Sequence, residues 1–533
     1  MLGLSALSVV SSTPFVDRGN GPYRILRLFQ SGAVRAFDAA LADPEAAQQA
    51  RLTSILRAAS GSVFFREHQL RLDMGMEELR TAVPVRNHAE LFPWLERVEA
   101  GEVNVLTGGA VLHLVETSGT TGRPKRLPVN AAWVASCNTA QRLWMLGLLR
   151  DDERLAGGKA LSIVSPAEHA RSSGGLPIGS NTGRIFLDQP WWTRRRAAVP
   201  YVVCTLDDPE VRAYTVLRHA IGKDIRSWTT ANPSTILVYA RNLARWWDAL
   251  REDAADGTLR CGPAAALSPA DRGRFSRGIT RARLGDDPAP TSLWPLRRIN
   301  CWTGGAAGFF LEKLPEALGG SVPVREVGIH ASEGTFAFTV DDGDPVAWLG
   351  GHLLEFREES GDICAAWQVK VGQEYELIVT TEAGLWRYAM GDIVRVTGWL
   401  GRAPRMVFVR KVGSFLNATG EKVTEDQVIA AASRAFAGSA AFCAATEWCD
   451  PPRVVIAVEG AAIGDFDREL RRENLEYASK RETGRLGPAH AQIVAPGTFA
   501  RWRAQRIAEG APEAQVKDPV ILDHQRWIAL GRS

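Results

Sequence analysis

The stretch LVETSGTTGRPKRLPVN, Leu114 to Asn130, sets an apolar approach against six consecutive small or hydroxylated residues, Thr117 through Gly122, and then a proline–lysine pair. Glycines let backbone N–H groups come close to an anion, Ser and Thr hydroxyls add rotatable donors, and Lys125 supplies a full positive charge; the pattern reads as a cradle for phosphate. It is not the Walker loop. Counted from Gly119, that loop needs a second glycine where Pro124 stands and a Ser or Thr where Arg126 stands. Taken alone, the run suits a polar surface loop equally well, and the rest of the chain has to decide.

Length and composition bound the answer. A chain of 533 residues exceeds what one hydrophobic core supports, which predicts two or more domains. Hydrophobic content of 45% with 23% charged residues is that of an ordinary globular protein, and a formal charge of +3 gives no argument for a nucleic-acid or other polyanionic partner. The seven cysteines form no CxxC pair, which speaks against a disulfide framework and a zinc site, and the nine histidines show no ligand-like pairing. The N-terminal MLGLSALSVVSSTPF lacks the basic flank of a signal peptide, and no apolar run reaches membrane-spanning length. A cytoplasmic protein, free of the membrane, is expected.

The first hundred residues read as helices, with apolar residues at three- and four-residue spacing through AVRAFDAALADPEAAQQARLTSILRAAS. Beyond the opening loop, strands (LSIVSP, RRINCW, VREVGIHAS) alternate with helices such as STILVYARNLARWWDAL, which argues for an α/β core. The run from Gly262 to Leu296, rich in Pro, Arg and Asp, reads as exposed and irregular. From about Leu353 the segments LLEFRE, EYELIVTT, LWRYAMG, DIVRVTGW and RMVFVRKVG read as a β-rich subdomain. Thr424 and Gln427 then stand at capping-box spacing, and RVVIAVE, DFDRELRRENLEYASKRE and AHAQIVAP read as strand, helix and strand. The fold class expected is α/β: a large N-terminal domain, residues 1–410, with mixed sheets, flanking helices and the β-rich subdomain, and a small mobile α+β domain, residues 411–533.

Three later stretches bear on the loop. In IHASEGTF, Glu333 lies just past a predicted strand end, where a carboxylate can take Mg²⁺, a hard cation that prefers oxygen ligands and phosphate partners. In GLWRYAMGDIVRV, Asp392 follows a glycine and is placed to accept two hydroxyls of a ribose. In FVRKVGSFLNATGEKVTEDQV, Arg410 and Lys411 end a strand and Lys422 follows a Gly-Glu turn. The ordinary alternatives are a solvated loop Glu, a turn Asp and a charged linker.

In this order the motifs resemble the acyl-adenylate-forming superfamily and, more closely, the Gretchen Hagen family of acyl acid amido synthetases. The resemblance runs over nearly the whole chain and includes VPVRNHAELFPWLERVEAGEVNVLTGG, GGLPIGSNTG and the closing GTFARWRAQRIAEGAPEAQVKDP. It implies that Ser118, Gly119, Thr120, Thr121 and Gly122 wrap the phosphates of ATP with Lys125 nearby, and that Ala331, Ser332 and Glu333 border the nucleotide, Glu333 taking Mg²⁺. It further implies that Asp392 takes the ribose, that Arg410 sits at a hinge and reaches the ribose, and that Lys422 contacts phosphate. Lys517 would swing in as pyrophosphate leaves. Two positions depart from the family: Ile329 and His330 stand where it carries an aromatic residue, and Val520 follows Pro519 where it carries Arg. His330 reads as structural or pocket-lining.

The implied reaction joins a carboxylic acid to an amine, an amino acid in the family's usual case, through an acyl-adenylate, on a monomer or weak homodimer. Two alternatives stay open: a thioester ligase delivering the acyl group to coenzyme A or a carrier protein, and a non-catalytic nucleotide-binding protein. The Trp-rich stretches NCWTGGAAGFF and NAAWVASCNTAQRLWM are candidate acyl-pocket walls or plain core. WWTRRRAAV reads as a solvated turn.

Overall fold

The structure is a computed structural model that describes residues 14–15, 21–117, 125–304, 307–413, 415–436, 441–460, 464–499, 501–502, 520–522 and 527. Its helical opening follows from local chemistry. Asp43 ends the helix Ser31–Ala42 and caps the next, Pro44–Ala59: its carboxylate accepts the Ala46 amide at 3.1 Å, and Pro44 stands where an N–H would have no partner. Leu52, Ile55, Leu56 and Ala59 then line the buried face. Gln48, fully buried in this helix, donates to the carbonyls of Leu349 (2.6 Å) and His352 (2.9 Å) and accepts the Leu354 amide (2.8 Å), stitching the helix to the largest sheet.

Four larger sheets carry the architecture. A parallel sheet orders Lys159–Ser162, Ile225–Thr229, Arg298–Cys301 and Val324–Glu326 side by side in chain order, with helices in its crossovers. A second sheet is built on Val111–Thr117, antiparallel to Lys125–Asn130 and parallel to Pro177–Gly179, with Ala170–Arg171 at its edge. The third, antiparallel, runs Ile363–Ala365, Leu353–Arg357, Glu374–Thr380, Tyr388–Leu400, Ala403–Lys411, Val346–Ala347, Gly334–Phe338 and Ile329–Ala331 in spatial order. In the C-terminal part Phe442–Glu447 pairs antiparallel with Arg453–Glu459, which pairs parallel with His490–Val494. Separate cores lie under the antiparallel sheet, the parallel sheet and the C-terminal part. This is the mixed α/β class expected.

Several elements differ in detail from the sequence reading. STILVYARNLARWWDAL is two helices, Ser234–Arg245 and Trp247–Asp256, broken at Trp246. DFDRELRRENLEYASKRE also divides, into Phe466–Glu473 and Leu475–Glu482, because Asn474 leaves helical geometry to cap the second, accepting the Tyr477 amide at 2.7 Å. VREVGIHAS feeds two sheets: Val324–Glu326 closes the parallel one and Ile329–Ala331 opens the edge of the antiparallel one, with Gly328 at φ 116° between them. A Cβ there would lie 2.2 Å from the Ala337 carbonyl oxygen, so only glycine fits. LWRYAMG and DIVRVTGW form one strand, Tyr388–Leu400. The Gly262–Leu296 run is not wholly loose: it holds short helices at Pro269–Phe275 and Pro290–Leu293, and buried Trp294 donates to the Ala220 carbonyl at 3.1 Å.

The contacts between the C-terminal part and the parallel-sheet half include an ion pair and an aromatic pair. Arg241 pairs with Asp450 at 2.8 Å, both about half exposed, and Phe310 meets Trp448 edge-on with ring centroids 6.5 Å apart. No helix among the described residues is long and apolar enough to cross a membrane.

Candidate active site

The site begins at a tight hairpin. Ala331 pairs with Gly334, leaving Ser332 and Glu333 as the turn. Side chains from two other elements grip both turn carbonyls: Trp133 Nε1 donates to Glu333 O at 2.7 Å, and Asn181 Nδ2 donates to Ser332 O at 3.2 Å. Trp133 is in place because Asn130 ends its strand and caps the helix Ala131–Asp151, accepting the Trp133 amide at 2.9 Å. Asn181 opens a helix capped by Ser180. The turn is therefore fixed through its backbone carbonyls, and among the described residues no hydrogen bond or ion pair of the Glu333 carboxylate holds it.

Lys125 opens the strand Lys125–Asn130 and is paired with Thr117 across two antiparallel strands. Ser118, Gly119, Thr120, Thr121 and Gly122 fall between them and lie outside the described residues, as does Lys517. The neighbouring Arg126 is engaged elsewhere, with Glu116 at 2.9 Å and with Glu99. On the antiparallel sheet, Gly391 sits at φ 71° and bulges the strand, and Asp392 behind it is 5% exposed and lies opposite Lys411, with which it forms an ion pair. The Lys411 ammonium also donates to the Met390 carbonyl at 3.3 Å. Lys422 follows a turn held from inside by buried Glu421, which accepts the amides of Ala418 (2.6 Å) and Thr419 (2.8 Å) and the Thr419 hydroxyl (2.8 Å). The Lys422 carbonyl accepts from Asn474 at 2.7 Å.

These elements bring Lys125, Lys411 and Lys422 around Glu333 and Asp392, three cations against two carboxylates in one electrostatic group. Burial works against every ammonium here, and the neighbours decide the sign. Lys411 is desolvated, yet Asp392 and Glu333 outweigh that and raise its pKa. Lys422 is pushed down, by burial first and then by the charge on Lys411. Lys125 is also lowered, chiefly by burial. Tyr388, buried beside Glu333 and Asp392, is held well above the usual phenol range by desolvation and both carboxylates. His88, at the start of the helix His88–Glu99, is pushed down to about 4 by burial and by Lys125, and is neutral.

Of the residues singled out in the sequence, the structure thus brings together Lys125, Glu333, Asp392 and Lys422, with Ala331 and Ser332 on the same hairpin. Arg410 is not among them. Successive residues of a strand face opposite ways, and its side chain is 60% exposed with Glu374 3.4 Å away. Lys411 holds the inward position instead. His330 is structural, its ring nitrogens 3.0 Å from the Thr335 hydroxyl and the Val327 carbonyl. Trp133 is likewise a buried structural residue, though one that works for the site. Lys411, Tyr388 and His88 were not read as site residues from the sequence. For Lys411, strand alternation against Arg410 was the available signal; His88 left none.

Comparison with known proteins gives this geometry its context. The GH3 family N-terminal domain matches residues 33–324, the GH3 family central domain residues 351–411, and the GH3 family C-terminal domain residues 424–526. A jasmonoyl–L-amino acid synthetase of Nicotiana attenuata is 24% identical over 91% of this chain and 92% of its own length. An indole-3-acetic acid-amido synthetase of Oryza sativa subsp. indica is 25% identical over 91% of this chain and 89% of its own. An acyl acid amido synthetase solved in complex with 2,4-DB shares the fold, with a TM-score of 0.66 at 18% identity over 96% of this chain and 97% of that one. Three domain matches in the order in which the chain presents its sheets cover most of its length, and the chain belongs to the GH3 family of acyl acid amido synthetases.

Proposed function

We propose that this amide-forming ligase uses the Lys125–Glu333–Asp392–Lys411–Lys422 group to adenylate a carboxylic acid with ATP and then passes the acyl group to an amine, in the first instance an amino acid. The observation that carries the reading is the convergence itself: side chains from the hairpin, the antiparallel sheet and the Gly-Glu-Lys turn meet beside the residue that follows the hydroxyl-rich run. In the first half-step an acid oxygen attacks the α-phosphorus and the bond to pyrophosphate breaks. In the second, the amine nitrogen attacks the acyl carbon, AMP leaves with the electron pair of the C–O bond, and the amine gives up a proton. Neither step calls on a protein nucleophile, and the thiols of Cys137 and Cys301 are pushed up to about 12, mainly by burial. Positioning and charge stabilisation supply the rate.

The proposed roles are these. Ser118, Gly119, Thr120, Thr121 and Gly122 wrap the phosphates, with Lys125 at their edge, and Ala331 and Ser332 border the nucleotide. Asp392 keeps Lys411 on one oxygen, which leaves the other for a ribose hydroxyl. Lys422 contacts phosphate, and Lys517 joins it as pyrophosphate departs. Among the described residues no group of three or more His, Cys, Asp or Glu could hold a metal, but Mg²⁺ needs none, since it keeps waters and phosphate oxygens and takes one or two carboxylates. Glu333 fits that demand, because its turn is held through backbone carbonyls and no described residue engages the carboxylate in a hydrogen bond or ion pair. Bound there, the ion would offset phosphate charge.

In this reading residues 1–410 form the substrate-binding domain and 411–533 a mobile lid, turning near Arg410 and Gly413, the latter at φ 102°. It carries with it a cytoplasmic monomer or weak homodimer. The test is acid-dependent exchange of labelled pyrophosphate into ATP, beginning with indole-3-acetic and jasmonic acids because of the relatives' names, followed by amino acids and coenzyme A as competing acceptors. Exchange with one acid class and amide formation with an amino acid are expected. ATP binding without exchange for any acid, or faster thioester than amide formation, overturns the reading.

A further inference from the structure

A second group of cations lies at the other end of the parallel sheet. The strands Lys159–Ser162 and Ile225–Thr229 begin there, whereas Val324–Glu326 leads from its C-terminal end towards the Glu333 hairpin. A cleft of about 460 Å³ opens between the segments Ala156–Lys159, Arg195–Arg196 and Gly222–Asp224. Four of its nine lining residues are cations, Lys159, Arg195, Arg196 and Lys223, against a single acid, Asp224.

Two observations mark this as more than a solvated patch. First, the charge is uncompensated. Asp224 is taken by Arg226 at 2.8 Å, and among the described residues none of the four cations has a carboxylate in ion-pair reach. Lys223 is also crowded by Lys159 and Arg218, which add to burial in lowering its pKa to about 8. Second, the heads are held. Lys223 donates to the Ala198 carbonyl at 2.5 Å, Lys159 to the Arg195 carbonyl, and Arg196 to the carbonyls of Leu155 (2.5 Å) and Ala156. The Arg195 guanidinium lies 4.9 Å from the centre of the Trp191 ring. Carbonyl and ring contacts fix direction without neutralising charge, and each ammonium keeps donors to spare. The whole chain carries a formal charge of only +3, so this is a local concentration of charge and not the edge of a basic surface.

We propose that this cleft is a second anion site, separate from the candidate active site, and that it binds the phosphate dianion of a small phosphorylated metabolite. Two planar guanidiniums offer paired donors to phosphate oxygens, and two ammoniums supply point charges. A cleft of 460 Å³ is within the ordinary range for a small-molecule site. Inorganic phosphate shares the chemistry, and the experiment separates the two sources.

The experiment is calorimetric titration of the full-length protein in the Lys422→Met background, which weakens phosphate binding at the nucleotide site, with fructose 1,6-bisphosphate and with inorganic phosphate as probes. Binding of the bisphosphate below about 1 mM at low salt is expected, weakened about tenfold or more by Arg195→Glu and by Lys159→Gln. The Arg195 side chain is exposed and, among the described residues, bonds to no backbone group, so its variant should keep the parent's melting temperature. Tighter binding of the bisphosphate than of phosphate identifies an esterified ligand, and equal affinity identifies free phosphate. No binding of either probe, or binding that both cleft variants leave unchanged, overturns the proposal.

Discussion

Two basic regions of this molecule handle the same problem differently. At the candidate active site three lysines surround two carboxylates, and the balance raises the pKa of Lys411 while lowering those of Lys422 and Lys125. At the far cleft four cations face one carboxylate that is already engaged, and Lys223 is lowered to about 8. The first arrangement is nearly self-neutral and differentiates its lysines, one locked in a pair and one poised. The second is a concentrated, fixed positive charge. Charge balance, more than charge count, separates a site built for steps from one built for holding.

The comparison breaks most visibly if Asp392 is removed. Asp392→Ala leaves Lys411 buried without its partner, which should cost about 3–5 kcal/mol of stability and about a hundredfold or more in pyrophosphate exchange. Pairing Asp392→Asn with Lys411→Met should restore most of the stability in chemical denaturation but none of the exchange, if Asp392 also serves the ribose. Full recovery of both would reduce Asp392 to a structural partner.

Lys422 sharpens the contrast. Lys422→Met should lower exchange about a hundredfold with stability unchanged or slightly higher, since a like charge beside Lys411 is gone. The wild-type lysine must be protonated to contact phosphate. Because its folded pKa is lowered, exchange should fall as pH rises through that value, earlier than for a free lysine, and Lys422→Arg should hold its activity further into the alkaline range. A shared pH profile would argue against the contact.

A smaller effect belongs to Lys223. With its folded pKa near 8, below the unfolded value, the unfolded chain binds more protons between about pH 8 and 10. Stability therefore rises with pH across that window, by about 1–2 kcal/mol once solvent screening is allowed for. Denaturation curves should show the rise in wild type, lose it in Lys223→Gln, and show it flattened with fructose 1,6-bisphosphate bound. Least of all, Trp133→Phe should remove one hydrogen bond to the Glu333 turn, about 1 kcal/mol of stability, and raise the KM for Mg·ATP several-fold.

The sequence was most readable where a local rule acts alone. Thr424 and Gln427 cap their helix as their spacing predicts, and the strand RVVIAVE forms from Arg453 to Glu459. Glu333 and Lys422 could be picked out because each stands at or just after a turn, whereas Asp392, read as lying between two strands, sits at a bulge inside one. Tertiary geometry hid the rest. Nothing local breaks the helix at Trp246, the two destinations of VREVGIHAS depend on which sheets lie beside Gly328, and the choice of Lys411 over Arg410 depends on which face of a strand looks inward. The far cleft was invisible for the same reason: its cations come from three segments spread over more than sixty residues, brought together by parallel strand pairing and by the bridge between Ala160 and Ala197.

The contacts that seat the C-terminal part include Arg241–Asp450 and Phe310–Trp448. A half-exposed ion pair contributes at most about 1 kcal/mol and one edge-on aromatic pair about as much. If the C-terminal part moves as proposed, losing either contact alone shifts the ratio of seated to released poses by no more than about fivefold. Neither is a lock: each is a trim on the resting pose, and a substitution at Asp450 or Trp448 would tune the timing of turnover without abolishing it.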